Sequence, residues 1–222
     1  MPDAGHTAER CSASSLSLEM ARDALLRGSM LIFPTETFYA LGCDAMNPDA
    51  VGRVFSLKKR PLTLPLPVVI GAMEQLERLV SHVTPVAREL MRLFWPGPLS
   101  LVLPARDEVP DLLTANVGRV AVRFSPHPAV LELCRATRSI LVASSANISG
   151  GPPAASRSEL PPALVQGSAG LYASGPEPAG TLPSTILGVT GRRGKEVLRV
   201  LRQGAISEQV LRDAGFCLEA CS

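Results

Sequence analysis

Apolar and polar positions along this chain fall into two alternating rhythms. From Ser17, a residue type that caps helix N-termini, "SLEMARDALLRG" sets Leu18, Ala21 and Leu25 on one helical stripe and stops at Gly28, predicting a helix. "MLIFP" then reads as a buried strand closed by Pro34. The pattern predicts a second helix over 49–59, a strand at the end of "RPLTLPLPVVI", helices over 72–80 and "TPVARELMRLFW", and a strand in "PGPLSLVLPA". In "VGRVAVRFSPHP", Val120, Val122 and Phe124 alternate with Ala121 and Arg123, which predicts a strand with Arg123 facing away from its apolar neighbours. "PAVLELCRAT" is helical, and "SILVASSANISGG" repeats the design of an apolar strand ending in hydroxyls. "STILGV" reads as a strand, "KEVLRVLRQG" as a strand or a helix, and "SEQVLRDAG" as a terminal helix. Strands alternating with helices predict an α/β sheet with helical cover, and the Pro-rich stretches 104–110 and 151–183 leave room for antiparallel members. The segment 151–183, rich in Gly, Pro, Ala and Ser, reads as a long mobile loop over a site.

Composition narrows the class. With 222 residues and 46% hydrophobic content the chain can bury one sizeable core, and the expected organisation is a disordered tail over 1–16 followed by one domain over 17–222. No apolar run reaches the roughly 18–20 residues of a membrane span, and the N-terminus lacks the order of a secretory signal, so a cytoplasmic protein without a membrane partner is expected. Five scattered cysteines without a CxxC pair and three histidines do not make a metal site, which predicts reduced, structural thiols and no protein-held metal. The net charge of +2 conceals two basic stretches, "RVFSLKKR" and "GRRGKEVLRVLR".

Candidate chemistry gathers at strand ends, where open α/β sheets bind ligands. Three apolar strands finish in hydroxyl or amide clusters: Thr35 and Thr37, then Ser144, Ser145 and Asn147, then Ser184 and Thr185. Such residues also cap helices and make turns. Lys58 and Arg60 stand at the end of a helix, where they complement its dipole. Arg123, a charge in an otherwise apolar strand, needs a partner if buried, and a ligand carboxylate is one such partner. Arg202 ends the last strand-like segment beside "QG", where glycine permits close backbone approach. These four cations would match a nucleotide's phosphates and an amino acid's carboxylate. No GxxxxGK[ST], GxSxG, HExxH or kinase motif set occurs.

"PTETFYALGCDA", "KKRP" followed by "PL", "WPGPLSLVL", "VAVRFSPHP", "SSANISGG", "STI" and "LRQGAI" stand in the order and at roughly the spacing of the YrdC-like family of L-threonylcarbamoyladenylate synthases, which the chain resembles over about 17–208. The resemblance implies a twisted mixed α/β sheet with helices on both faces and a concave, positively charged cavity. It also implies synthesis of threonylcarbamoyl-AMP and pyrophosphate from L-threonine, bicarbonate and ATP, for threonylcarbamoyladenosine beside the anticodon of tRNA. Position by position, Thr37, Ser145 and Ser184 resemble residues that hold threonine, with Arg123 taking its carboxylate. Lys58, Arg60, Asn147 and Arg202 resemble those that hold ATP, with Lys58 and Arg60 also placed in the catalytic role. The implied partners are proteins that transfer the group to tRNA, tRNA or double-stranded RNA itself, and Mg2+ held through ATP. Ending just after "LRQGAI", the chain resembles the short, single-domain bacterial type. Three positions depart from the family pattern: Leu64, where many relatives carry Asn, Asp or Lys; "PVVI", where a His is frequent; and Gly188, where Asp is common.

Two other readings compete. A concave basic surface suits a non-catalytic RNA-binding protein, although two tyrosines and one tryptophan offer no platform for stacking single-stranded bases. A carbamoyl-adenylate module like that of hydrogenase-maturation carbamoyltransferases is the other. Among the remaining residues, Trp95 is expected to close a core corner, Cys43 to fill the interior, and His127 either to cap the helix after it or to line the cavity.

Overall fold

The computed structural model describes residues 15–192 and 195–219. The tail expected over 1–16 lies outside the described residues as far as residue 14, as do Cys11 and Cys221. Ser15 and Leu16 already pair with Leu171. Helix α1 spans Leu18–Leu26, with the Ser17 hydroxyl accepting from the Met20 amide as its cap. It leads into β1 (Leu31–Pro34), β2 (Tyr39–Gly42), α2 (Pro48–Lys58), β3 (Val68–Ile70), α3 (Pro85–Phe94), β4 (Leu99–Pro104), α4 (Asp111–Thr114) and β5 (Arg119–Phe124). Then follow α5 (Pro128–Thr137), β6 (Leu141–Val142), β7 (Ser144–Ser145), α6 (Pro162–Gly167), β8 (Thr185–Arg192), β9 (Lys195–Arg202) and α7 (Glu208–Asp213).

The strands form two sheets. A small antiparallel one has the order β1-β2-β7, and a larger mixed one has the order β6-β3-β5-β4-β8-β9, in which β3/β5 and β4/β8 run parallel. Residues Leu141 to Ser145 belong to both: β6 closes the large sheet, and after Ala143 alone the chain joins the small sheet as β7. Alternation sends neighbouring side chains into different cores. Ile32, Val68 and Ile70 join the cluster under α2 and α3, while Leu31, Phe33 and Val69 join the one under α1 and α5, so helices cover both faces.

Four sequence expectations change. The helix expected over 72–80 is a 3-10 turn, Met73–Arg78: the buried Gln75 side chain accepts from the amides of Gly71 and Ala72 and donates to the Ser139 carbonyl, tying the segment tightly. β2 was not foreseen, because all four of its residues are buried and no alternation marks them. The ambiguous "KEVLRVLRQG" is a strand. The segment 151–183, expected as a loop, carries a 3-10 turn (Arg157–Glu159) and α6, anchored in the larger core by Leu160 and Leu164.

Candidate active site

Where the two sheets meet they enclose a cavity of about 620 Å3. Its floor is one face of the large sheet. Ser100 and Val102 of β4 and Ala121 and Arg123 of β5 line it, while the residues between them, Leu99, Leu101, Val120 and Val122, enter the core. The predicted divergence of Arg123 from its apolar neighbours is thus present. Its rim is made of strand ends: Thr35 and Thr37 after β1, Ser144, Ser145 and Asn147 around β7, Ser184 before β8, and Arg202 at the end of β9. Arg60, just past α2, completes the wall.

Most of these groups are already bonded. The Arg202 guanidinium donates to the Ser184 carbonyl (2.8 Å) and hydroxyl (2.9 Å), and that hydroxyl lies 3.0 Å from the Ser100 hydroxyl. A Cβ on Gly204 would sit 2.2 Å from the Pro183 carbonyl oxygen, so glycine two residues on lets the strand end approach this close. The Ser145 hydroxyl donates to Asn147 Oδ1 (2.5 Å), whose amide nitrogen donates to the carbonyls of Ile148 and Gly151. Thr35 and Thr37 hydroxyls are 3.1 Å apart, and Thr35 also bonds the Phe38 carbonyl, closing the turn. Thr185 stands apart from the cavity: fully buried, it bonds the backbone of Ile206.

Lys58 and Arg60 diverge because Lys59 between them takes the left-handed conformation, with φ of 51°. Lys58 is 1% exposed and lies behind the wall, where its ammonium donates to the carbonyls of Ser145 and Asn147. Burial, with Arg60 adding to it, pushes its pKa down to about 8. Arg60 reaches the cavity and donates to the carbonyls of Leu64 (3.1 Å) and Pro65 (2.9 Å). Burial first, then the charges of Arg123 and Arg60, lowers the Arg202 pKa, so the three guanidiniums share one electrostatic neighbourhood.

Arg123 has a partner that sequence reasoning missed. Its guanidinium donates to the carboxylate of Glu36, whose other oxygen accepts from the Ser125 hydroxyl (2.6 Å). Among the described residues this is the ion pair that joins the small sheet to the large one. The only hint in the sequence is a carboxylate lodged between Thr35 and Thr37 at a strand tip. The segment after α6 lies against the same turn: the Gly180 amide donates to the Thr37 carbonyl (2.8 Å) and Tyr39 donates to Glu177 (2.7 Å). Burial and then Glu177 raise the Tyr39 pKa to about 12.

One open alternative resolves, and the expected place of Trp95 is found. His127 caps α5, its Nδ1 accepting from the Ala129 amide while Nε2 donates to the Pro176 carbonyl, and burial lowers its pKa. Trp95 closes a core corner and donates to the Leu99 carbonyl (2.7 Å). Cys43, Cys134 and Cys217 are free, the first two buried.

A divalent cation finds no protein cage here: among the described residues no group of three or more His, Cys, Asp or Glu could hold one, and Glu36 is committed to Arg123 and Ser125. No helix among the described residues is long and apolar enough to cross a membrane.

Comparisons with known proteins bear on this arrangement. The family profile for Sua5, YciO and YrdC proteins, described as telomere recombination, matches residues 23–204. A threonylcarbamoyl-AMP synthase of Pyrococcus abyssi is 42% identical over 135 residues, covering 61% of this chain and 40% of that protein. The chain thus spans well under half of that relative. One from Xanthomonas campestris is 37% identical over 150 residues, covering 67% of this chain and 80% of that protein. The crystal structure of P. abyssi Sua5 complexed with L-threonine superposes with a TM-score of 0.79 at 32% identity, covering 91% of this chain and 59% of that one.

Proposed function

The chain belongs to the Sua5, YciO and YrdC family, and on that footing we propose that it is a threonylcarbamoyl-AMP synthase, an adenylyl-transferring enzyme that makes threonylcarbamoyl-AMP and pyrophosphate from L-threonine, bicarbonate and ATP. The observation that carries this reading is the convergence of three guanidiniums with hydroxyls from separate strand ends on one cavity of about 620 Å3, a volume suited to a nucleotide beside a small amino acid. The names of the relatives support it.

In this reading threonine lies between Thr37, Ser145 and Ser184, and its carboxylate meets the N–H groups of Arg123 that Glu36 leaves free. Its amine takes up carbon dioxide derived from bicarbonate. One oxygen of the resulting carbamate attacks the α-phosphorus, and the bond from that phosphorus to the bridging oxygen breaks as pyrophosphate departs. No side-chain nucleophile is needed. Holding the reactants in line contributes about 7–11 kcal/mol in favourable cases, and cations placed where charge builds on the phosphates add to it. Arg60 and Arg202 face those phosphates, Asn147 orients the substrate through its loop, and Lys58 acts from behind by fixing the carbonyls of Ser145 and Asn147. Mg2+ would be held by the triphosphate and water, where it would neutralise phosphate charge. A lid that shields the labile carbamate and mixed anhydride from water would come from the last part of 151–183, around Glu177 to Gly180, whose bonds to Tyr39 and to the Thr37 carbonyl support that role. The product would feed proteins that move the threonylcarbamoyl group to tRNA.

The test is pyrophosphate release by the purified chain. Release that depends on both threonine and bicarbonate supports the proposal. ATP consumption indifferent to threonine, or salt-sensitive tRNA binding without turnover, overturns it.

A further inference from the structure

The cavity lining includes two exposed leucines that the cationic chemistry leaves unexplained. They are Leu64 and Leu201, which are 47% and 53% exposed. Adjacent strand residues normally point to opposite faces, yet Leu201 and Arg202 both face this cavity. The cause is a β-bulge: Ile186 pairs with Arg202 but Leu187 pairs with Val200, so Leu201 is an extra residue without a ladder partner. Beneath it, a Cβ on Gly188 would lie 3.3 Å from Leu201 Cδ1, a tight contact that glycine avoids. Leu64 is held just as deliberately, since the Arg60 guanidinium bonds its carbonyl and that of Pro65. Each leucine is thereby tied to a cation of the site, Leu64 through Arg60 and Leu201 through its neighbour Arg202.

Exposed leucines beside guanidiniums in one cavity suit a ligand with an apolar body and an anionic end. Threonine has a single methyl group, too little to cover two leucines. We infer that Leu64 and Leu201 seat the base of the nucleotide while Arg60 and Arg202 take its phosphates. This deepens the nucleotide assignment made above and rests on it. The base gives up water-exposed apolar area on both sides of the contact, and the seat discriminates a nucleotide from bare polyphosphate.

Calorimetric titration of the full chain with ATP and with inorganic tripolyphosphate, which lacks base and ribose, tests the inference. Wild type should bind ATP at least about tenfold more tightly than tripolyphosphate. The double variant Leu64→Ala/Leu201→Ala should lose about tenfold for ATP and stay within about twofold for tripolyphosphate, and Leu201→Met, which keeps the apolar area, should stay near wild type. Both leucines are exposed, so these variants should retain the fold, which circular dichroism checks. Equal wild-type affinity for the two ligands, or parallel loss of both in the double variant, would overturn the seat. A parallel assay of threonine-dependent pyrophosphate release keeps the two ideas separate. An intact ATP preference without turnover strikes the synthase reading alone, and turnover without the preference strikes the seat alone.

Discussion

The two faces of the large sheet are built from alternating residues of the same strands, yet they obey different rules. On the core face Leu99, Leu101, Leu103, Val120 and Val122 are fully buried and interchange only volume with their neighbours. On the cavity face Ser100 and Arg123 are almost as buried, but each meets a directional partner: Ser100 faces Ser184, which holds Arg202, and Arg123 faces Glu36. The core face can therefore lose a methyl group and keep its chemistry. The cavity face cannot lose a partner without leaving a stranded polar group behind.

Five experiments probe that contrast, beginning with the largest effect. Arg123→Ala strips Glu36 of its guanidinium and should cost about 3–5 kcal/mol in denaturant unfolding, together with a loss of about 30-fold or more in threonine-dependent turnover. Pairing Arg123→Met with Glu36→Gln should return most of the stability and none of the turnover, because a neutral pair needs no counter-charge while the substrate carboxylate still does. On the opposite face, Leu101→Ala should cost about 2–5 kcal/mol and leave turnover per folded molecule unchanged. If turnover fell in proportion to stability loss at both sites, the two faces would not differ in kind.

Lys58 sits between these extremes, as a charge that supports the cavity from the core side. With its pKa near 8 it is charged below that pH and neutral above it. ATP affinity of the wild type should accordingly fall by roughly threefold to tenfold between pH 7 and pH 9.5, a step that Lys58→Met removes in the same titration. The smallest effect is expected at His127, whose capping role implies that His127→Ala lowers stability by about 1 kcal/mol with KM for threonine and for ATP unchanged.

Much of this was legible in the sequence because it is local. The cap at Ser17, the strand alternation around Arg123 and the hydroxyl tips at Thr35–Thr37 and Ser144–Asn147 each depend on a few neighbouring residues. What escaped depends on distant segments. Glu36 lies 87 positions from Arg123, so its pairing exists only once the turn of the small sheet faces β5. The bulge at Leu201 comes from the register between β8 and β9, and no residue in "RVLRQG" announces it. Lys58 reads as a helix-end cation and is one, but it ends α2 on the buried side, and the left-handed Lys59 after it turns the chain so that Arg60 leaves in another direction. β2 was hidden by its own complete burial.

The passage of one strand between the two sheets has a geometric consequence. Only Ala143 separates β6 from β7, and a single residue spans less than about 4 Å, so the walls cannot part along that side. The cavity is bound there like a book at its spine. The Glu36 and Arg123 clasp is a second fastening between the two sheets, and any widening of the cavity that draws the sheets apart has to open it.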